Sequence, residues 1–230
     1  MSLEQNLAAG YDQFALAYLQ ARAEGKLLND YIEVPEMINT VGDVEGLRLL
    51  DVGCGSGIHL QQYVAKGAKA AGIDISKVMV ELAQKENPAA RIIHGSVYKL
   101  PFNEACFDIV TSSLALFHVE ELGRAFLEIS RVLNREGRLV YSDLHPFGYS
   151  EIPAVGNKFV ENELLPGFMF SHWRRGVGYH TEKLTETGFQ LTGFKECYPS
   201  QQLRAVNHKA YEIRSAFPLF CIYSARKINQ

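Results

Sequence analysis

The chain has 230 residues, of which 47% are hydrophobic and 21% charged, and its formal net charge is −3 at pH 7. These values are typical of one globular α/β domain that is large enough to bury its own core. The negative charge disfavours a nucleic-acid binder, because such proteins usually present a basic surface to phosphates. No apolar run approaches the roughly 20 residues of a membrane helix, and the polar start does not resemble a signal peptide.

Cysteine usage and possible metal ligands indicate the compartment and the absence of a metal site. The four cysteines lie far apart, without a C-x-x-C pair: Cys54, Cys106, Cys197 and Cys221. Such spacing favours reduced thiols over a disulfide framework or a zinc site, so we expect a cytoplasmic protein. Asp143 and His145 stand two residues apart, but no third ligand is evident, so we expect no metal.

The order of helices and strands indicates the fold class. Helical spacing of apolar residues predicts helices over 3–24 and 30–41, the first ended by Gly25. Strands are predicted over 47–51, 69–74, 91–94, 107–113, 138–144, 189–198 and 218–227. Helices are predicted between them over 57–66, from Ser76 to Asn87, over 120–133 and over 181–187. This alternation implies right-handed βαβ units and a mostly parallel, doubly wound sheet.

Residues 145–180 interrupt the alternation with three prolines and seven aromatic residues. We interpret this segment as an insertion that lies over the carboxyl edge of the sheet. Its aromatic side chains either line an apolar substrate pocket or form a core of the insertion itself. They are Phe147, Tyr149, Phe159, Phe168, Phe170, Trp173 and Tyr179.

The most informative segment is Asp-Val-Gly-Cys-Gly-Ser-Gly at residues 51–57. A turn this rich in glycine lets a ligand approach the backbone, and it follows the first strand, where doubly wound sheets bind cofactors. A dinucleotide-binding loop needs the pattern G-x-G-x-x-G. The third position of that pattern is Ile58 or Leu60 in the two possible registers. Asp51 would also repel a pyrophosphate, so a cationic ligand without phosphate fits better.

Residues 51–57 resemble the first motif of the class I S-adenosylmethionine-dependent methyltransferases, and the similarity extends over about 45–145. The resemblance implies methyl transfer to a small molecule, as in the ubiquinone- and menaquinone-biosynthesis-like branch. It implies a Rossmann-like α/β fold whose sheet has seven strands, helices on both faces and an antiparallel last strand. One domain over 1–230 would then comprise a helical lid (1–41), a cofactor-binding core (45–144), a substrate-side insertion (145–180) and C-terminal strands (181–230).

The resemblance also implies roles for individual residues toward S-adenosylmethionine. The glycine turn would contact the methionine part, with Asp51 at its amino end. Asp74 matches the acid that binds both ribose hydroxyls, and Ile75 would pack on adenine. Ser96 stands where this family usually has an aspartate for the adenine amine. The implied cofactor-binding residues are Asp51, Gly53, Cys54, Gly55, Gly57, Asp74, Ile75, Ser96, Val97, Ser113, Leu114, Tyr11 and Tyr18.

Three histidines are candidate general bases, because histidine titrates near neutral pH. His118 follows the fourth strand, His145 follows the fifth, and His180 ends the insertion, so we expect them near the carboxyl edge of the sheet. Each has a scaffold role as its alternative. The first helix resembles a lid, with Tyr11 and Tyr18 on one face, or it packs permanently on the core.

The sequence leaves two other functions open, a non-catalytic S-adenosylmethionine-binding protein and a nucleotide-dependent oxidoreductase. The chain lacks the Asn-Pro-Pro-Tyr signature of nucleic-acid amino-methylating enzymes. We therefore expect a small-molecule substrate, no nucleic-acid or membrane partner, and a monomer or homodimer.

Overall fold

Short apolar segments pair into one large sheet in the computed structural model, which describes residues 2–148, 156–165 and 168–228. Among these residues nine strands are present. They are β1 (Arg48–Val52), β2 (Lys69–Asp74), β3 (Arg91–His94), β4 (Phe107–Ser112), β5 (Leu133–Leu144), β6 (Asn157–Leu165), β7 (Phe168–Arg175), β8 (Phe189–Glu196) and β9 (Phe220–Lys227). Seven of them form the main sheet, in the order β3-β2-β1-β4-β5-β9-β8.

The strand directions confirm the predicted sheet. Strands β1 to β5 are parallel, and β9, the last in the chain, is antiparallel to both of its neighbours. It lies between β5 and β8 rather than at an edge. Leu49 and Leu50 of β1 are both buried although they point to opposite faces, as expected of a strand covered on both sides.

Helices cover both faces of the sheet, as the doubly wound fold requires. The described helices are α1 (Leu3–Ala23), α2 (Glu33–Val41), α3 (Ile58–Ala65), α4 (Lys77–Glu86), α5 (Leu122–Val132), α6 (Val177–Glu186), α7 (Gln201–Val206) and α8 (His208–Ala216). One apolar core contains Met37, Leu60 and Val80 of α2, α3 and α4. The core of the opposite face contains Phe126 of α5 and Leu184 of α6.

Two polar side chains cap the two ends of α4. Ser76 caps the first turn, because its Oγ accepts a hydrogen bond from the Met79 N–H at 3.1 Å. Asn87 ends the helix, and its Nδ2 donates to the carbonyl oxygens of Ala83 and Gly57 at 3.1 and 3.2 Å. Asn87 therefore ties the end of α4 to the glycine turn after β1.

Two predictions about the second half of the chain were incomplete. Strands β6 and β7 pair as an antiparallel hairpin, and α6 begins at Val177, four residues before the predicted start. The prediction missed α7, which has only six residues, and α8, which has no buried residue and therefore no apolar stripe in its sequence. The hairpin packs against α1 and the turn Leu116–His118, which places it over the carboxyl edge of the sheet.

The turn after β1 depends on two glycines in the left-handed region. Gly53 has φ +71° and Gly55 has φ +53°. A Cβ atom on Gly53 would lie 2.3 Å from the Cβ of Ala115, whereas a Cβ on Gly55 would meet nothing within 4 Å. Close approach of two chain segments therefore requires glycine at position 53, and backbone conformation favours it at position 55.

The variants Gly53→Ala and Gly55→Ala separate these two effects. Each places an L side chain in the left-handed region, which costs about 1–2 kcal/mol. We expect Gly53→Ala to lower the free energy of unfolding by a further ~1–3 kcal/mol, because the new methyl group collides with Ala115. Denaturant unfolding of both variants measures the difference. Equal losses of stability would contradict the steric role of Gly53.

Asp143 is a buried acid near the carboxyl end of β5. The carboxylate of Asp143 accepts a hydrogen bond from the Leu144 N–H, and its Oδ2 lies 3.4 Å from Nε2 of His180. The other nitrogen of His180 is 3.0 Å from the Tyr141 hydroxyl. Burial raises the pKa of Asp143 to about 7, although the charge of Arg175 opposes the shift. The folded protein therefore holds a proton here more tightly than the unfolded chain does.

The variant Asp143→Asn tests this linkage. A raised pKa in the folded state contributes stability that is complete below about pH 4 and is lost as the pH rises to about 7. We expect the parent to lose stability over this range, by at most about 1.4 kcal/mol per pH unit from this group, and the variant to lose less. Denaturant unfolding at several pH values measures both curves.

Asp108→Asn is the matched control for this comparison. Arg48 lowers the pKa of Asp108, so its contribution is already complete at pH 5 and the slope between pH 5 and 7 should match the parent's. Parallel curves for Asp143→Asn and the parent would show that Asp143 does not titrate in this range.

Candidate functional site

A cavity of about 440 Å³ opens at the carboxyl edge of the sheet, beneath α1. Its walls are the segments that follow β1, β2, β3 and β4, and one face of α1 covers it. Ligands of doubly wound sheets bind at this edge, so the cavity is the candidate functional site.

Most of the residues predicted to hold a cofactor meet in this cavity. Eleven of the thirteen line it: Asp51, Gly53, Cys54, Gly55, Asp74, Ile75, Val97, Ser113, Leu114, Tyr11 and Tyr18. Gly57 does not line it: this residue immediately precedes α3 with φ +84°, and a Cβ added there would lie 2.4 Å from the side chain of Asn87. Ser96 lies between two lining residues, Gly95 and Val97, and its own side chain is turned to Glu4.

Asp74 is fixed at the end of β2 by two backbone groups. Its Oδ2 accepts a hydrogen bond from the Gly55 N–H at 2.8 Å, and its Oδ1 accepts one from the Ser76 N–H at 2.9 Å. Burial raises the pKa of this carboxyl. A carboxylate oxygen has two lone pairs, so each oxygen retains capacity for a ligand hydroxyl.

Asp51 lies on the floor of the cavity at the end of β1. The Thr111 hydroxyl donates to its Oδ1 at 2.8 Å. Burial raises the pKa of Asp51 to about 6, although the charge of His59 opposes the shift. A positively charged ligand group beside Asp51 would offset the cost of burying its ionised form.

Next to Asp51 lies a buried ion pair that sequence reasoning missed. The Oε1 of Glu33 accepts hydrogen bonds from the Ser113 and Ser142 hydroxyls at 2.7 and 2.5 Å, and its Oε2 lies 3.3 Å from Nε2 of His59. Burial tends to lower the pKa of His59, but the charges of Glu33 and Asp51 raise it overall. Glu33 begins α2, outside every motif, so no local signal in the sequence indicates its partners.

Polar contacts of three α1 residues fasten the helix over the cavity. Asp12 accepts a hydrogen bond from the Ser76 hydroxyl at 2.6 Å, and Glu4 accepts one from the Ser96 hydroxyl at 2.6 Å. The third contact joins the Tyr11 hydroxyl and Nε2 of His118 at 2.9 Å. Because these contacts reach the ends of β2, β3 and β4, α1 spans the mouth of the cavity.

His118 lines the cavity with a defined tautomer. Its Nδ1 lies 2.5 Å from the carbonyl oxygen of Ser171 in β7. A carbonyl only accepts hydrogen bonds, so Nδ1 carries the hydrogen and Nε2 accepts one from the Tyr11 hydroxyl. Burial lowers the pKa of His118 to about 3, so the ring is neutral at physiological pH.

The other two candidate bases lie outside the cavity. His145 pairs with Glu196, its Nε2 3.2 Å from the carboxylate, and burial lowers its pKa. His180 packs between Tyr141 and Tyr223 in the core, where burial lowers its pKa to about 3. Both rings approach the carboxyl end of β5, but this end does not border the cavity.

None of the insertion's aromatic side chains that the structure describes lines the cavity wall either. Phe159 packs on Trp173 with ring centroids 5.2 Å apart, which is a contact within the hairpin. Phe147 is 59% exposed. Tyr149 lies outside the described residues, as do the side chains of Phe168 and Phe170.

Residues 2–148, 156–165 and 168–228 contain no group of three or more His, Cys, Asp or Glu side chains placed to hold a metal ion. Within the same ranges, every helix is too short or too polar to span a bilayer.

The central part of the chain matches a known protein family. Residues 50–141 match the family model described as a methyltransferase domain. A demethylmenaquinone methyltransferase from Renibacterium salmoninarum is 33% identical over 138 residues, which are 55% of this chain and 58% of that protein. An uncharacterized protein from Haemophilus influenzae is 37% identical over 144 residues, 59% of this chain and 57% of that protein. The chain thus spans less than two thirds of these two relatives.

A solved structure shares the fold over most of its length. The S-adenosylmethionine-dependent methyltransferase from Mesorhizobium loti has a TM-score of 0.69 and 24% identity, over 84% of this chain and 96% of that one. The match to the family model covers most of β1 to β5, of which β1 to β4 border the cavity, and the structural match extends beyond them. Residues 50–141 thus match a methyltransferase domain, and the chain shares the fold of a solved S-adenosylmethionine-dependent methyltransferase.

Proposed function

We propose that the chain transfers a methyl group from S-adenosylmethionine to a small-molecule acceptor and releases S-adenosylhomocysteine. One observation carries the proposal: Asp51, Asp74 and the open side of Gly55 line a single cavity that His118 also borders. The cavity therefore offers a place for the cofactor and a place for an acceptor next to it. The match of residues 50–141 to a methyltransferase domain supports the same reaction.

The residues present fit this cofactor. S-adenosylmethionine carries a sulfonium, an ammonium and a carboxylate at one end, and a ribose diol and adenine at the other. The carboxylate of Asp74 has free lone pairs that can accept hydrogen bonds from the diol. A cationic group of the ligand beside Asp51 would offset the cost of burying the ionised carboxylate. The space in front of the Gly55 Cα is open, since a Cβ there would have no neighbour within 4 Å, so a ligand can reach the backbone.

The charges around the cavity favour a ligand that is cationic at its centre. Glu4, Asp51 and Asp74 all line the wall. Arg22 and Arg124 line it as well, but they are ion-paired with Asp30 and Glu121. Paired cations contribute little net field, so the unpaired carboxylates determine the sign of the potential.

On the acceptor side we assign an orienting role to His118. When bound, the cofactor supplies an electrophilic methyl group, and the acceptor must present a lone pair to it in line. The Nε2 of His118 now accepts from the Tyr11 hydroxyl and can accept equally from a substrate O–H or N–H. Its lowered pKa makes the ring a weak base, so its main effect is to position the acceptor.

The lid and the surroundings complete the proposal. We propose that α1 opens to admit ligands and closes through the polar contacts of Glu4, Tyr11 and Asp12, which excludes water from the transfer. We also propose a cytoplasmic monomer or homodimer with no nucleic-acid or membrane partner. The four cysteines form no disulfide, which supports a reducing compartment.

Turnover and binding measured together test this function. The purified protein is incubated with S-adenosylmethionine and a panel of phenols, quinols, carboxylic acids and amines, and S-adenosylhomocysteine is quantified by mass spectrometry. We expect Asp74→Asn to weaken S-adenosylhomocysteine binding at least tenfold, because a buried charge-assisted hydrogen bond is lost. We expect His118→Ala to leave this affinity unchanged and to slow transfer about tenfold, the scale of one hydrogen bond.

Asp108→Asn, at the opposite edge of the sheet, is the control and should change neither quantity. A loss of a hundredfold or more in His118→Ala would instead identify a general base. Tight binding of S-adenosylhomocysteine without turnover of any acceptor would favour a non-catalytic binding protein. Absence of binding would overturn the proposed cofactor.

A further inference from the structure

Glu4 lies in the first turn of α1, and the role inferred for it rests on the proposed function. Its Oε1 accepts a hydrogen bond from the Ser96 hydroxyl at 2.6 Å. Glu4 itself lines the cavity beside Gly95 and Val97, the two neighbours of Ser96. A carboxylate that is 92 residues away in the sequence thus lies next to the end of β3.

The position of Asp74 determines which part of the cofactor lies near Glu4. If Asp74 at the end of β2 held the ribose diol, the base would extend past Ile75 toward the end of the neighbouring strand, β3. The wall there includes Gly95, Val97 and Glu4. Adenine presents an exocyclic amine, which is a hydrogen-bond donor and requires an acceptor in a partly buried site.

Ser96 is poorly placed to be that acceptor. Its hydroxyl donates to Glu4 and already accepts from the Tyr98 N–H at 3.1 Å. The carboxylate of Glu4 retains its second oxygen and, in addition, a negative charge. Hydrogen bonds to a charged acceptor are roughly twice as strong as those between neutral groups.

Three other polar side chains at this end of the cavity are engaged in contacts of their own. Glu121 forms an ion pair with Arg124, and the Tyr98 hydroxyl accepts from the Glu121 N–H at 2.9 Å. Within the described part of the chain, no Lys, Arg or His side chain is ion-paired with Glu4. Glu4 therefore offers a half-buried carboxylate whose charge is available to a ligand, whereas Glu120, which also lines the cavity, is exposed to solvent.

We propose that Glu4 accepts a hydrogen bond from the exocyclic amine of adenine and makes the cavity selective for this base. Ser96 orients the carboxylate for that contact. Because Glu4 belongs to α1, recognition of the base and closure of α1 are the same event. A ligand without the amine would place an acceptor against the carboxylate and oppose closure.

Calorimetry with two ligands tests the proposal. S-adenosylhomocysteine carries the amine, and S-inosylhomocysteine carries a carbonyl oxygen in its place. We expect the parent to bind the adenine ligand at least tenfold more tightly. Glu4→Gln should weaken binding of the adenine ligand about tenfold and reduce or invert the preference, because an amide can donate to the inosine carbonyl.

Two variants separate base recognition from docking of the helix. Asp12→Asn weakens another contact of α1, one that does not border the cavity. We expect it to weaken the binding of both ligands by the same factor. The double variant Glu4→Gln/Ser96→Asp returns a carboxylate to this end and should restore the preference for adenine.

The outcomes distinguish this inference from the function on which it rests. If Glu4→Gln weakens the binding of both ligands equally, or of neither, Glu4 does not recognise the base and the inference is wrong. The proposed function stands in that case. If the parent binds neither ligand, the proposed function fails and the inference fails with it.

Discussion

The close approach of the turn after β1 to its neighbours determines the geometry of the whole site. The N–H groups of Gly53 and Cys54 both donate to the carbonyl oxygen of Ile73, which holds the turn against β2. The same turn touches Ala115 after β4, and the Gly55 N–H fixes Asp74. Because the contacts are made by backbone, they leave no room for side chains at position 53 and require positive φ at both glycines. The ends of three strands are thereby brought around one cavity.

This geometry gathers acidic groups that are costly to bury. Burial raises the pKa values of Asp51 and Asp74, which shows that the protein without a ligand disfavours their charged forms. A ligand that brings a positive charge and a diol offsets this cost, and one that brings phosphates increases it. The cost of burying these carboxylates therefore lowers the stability of the protein without a ligand, and the same cost makes the cavity selective for a cationic ligand. Helix α1 adds the carboxylate of Glu4 when it lies over the cavity.

The sequence was sufficient where a signal is local. Residues 51–57 and the alternation of helices and strands predicted the sheet and most of the cavity wall. The pairings of Glu33 with His59, of Glu4 with Ser96 and of Tyr11 with His118 join distant segments through single side chains, so no periodicity or spacing indicates them. Proximity to a strand end likewise did not separate His118 from the other two histidines, because the cavity borders β1 to β4 and not β5.

The central claim is that the cavity selects a cationic nucleoside ligand without phosphate. Calorimetric titration of the parent protein with S-adenosylmethionine and with NAD, under identical conditions, tests it most directly. We predict saturable binding of S-adenosylmethionine and no measurable binding of NAD, because a pyrophosphate at the glycine turn would face Asp51. Tighter binding of NAD than of S-adenosylmethionine would contradict the account and identify a nucleotide-dependent enzyme.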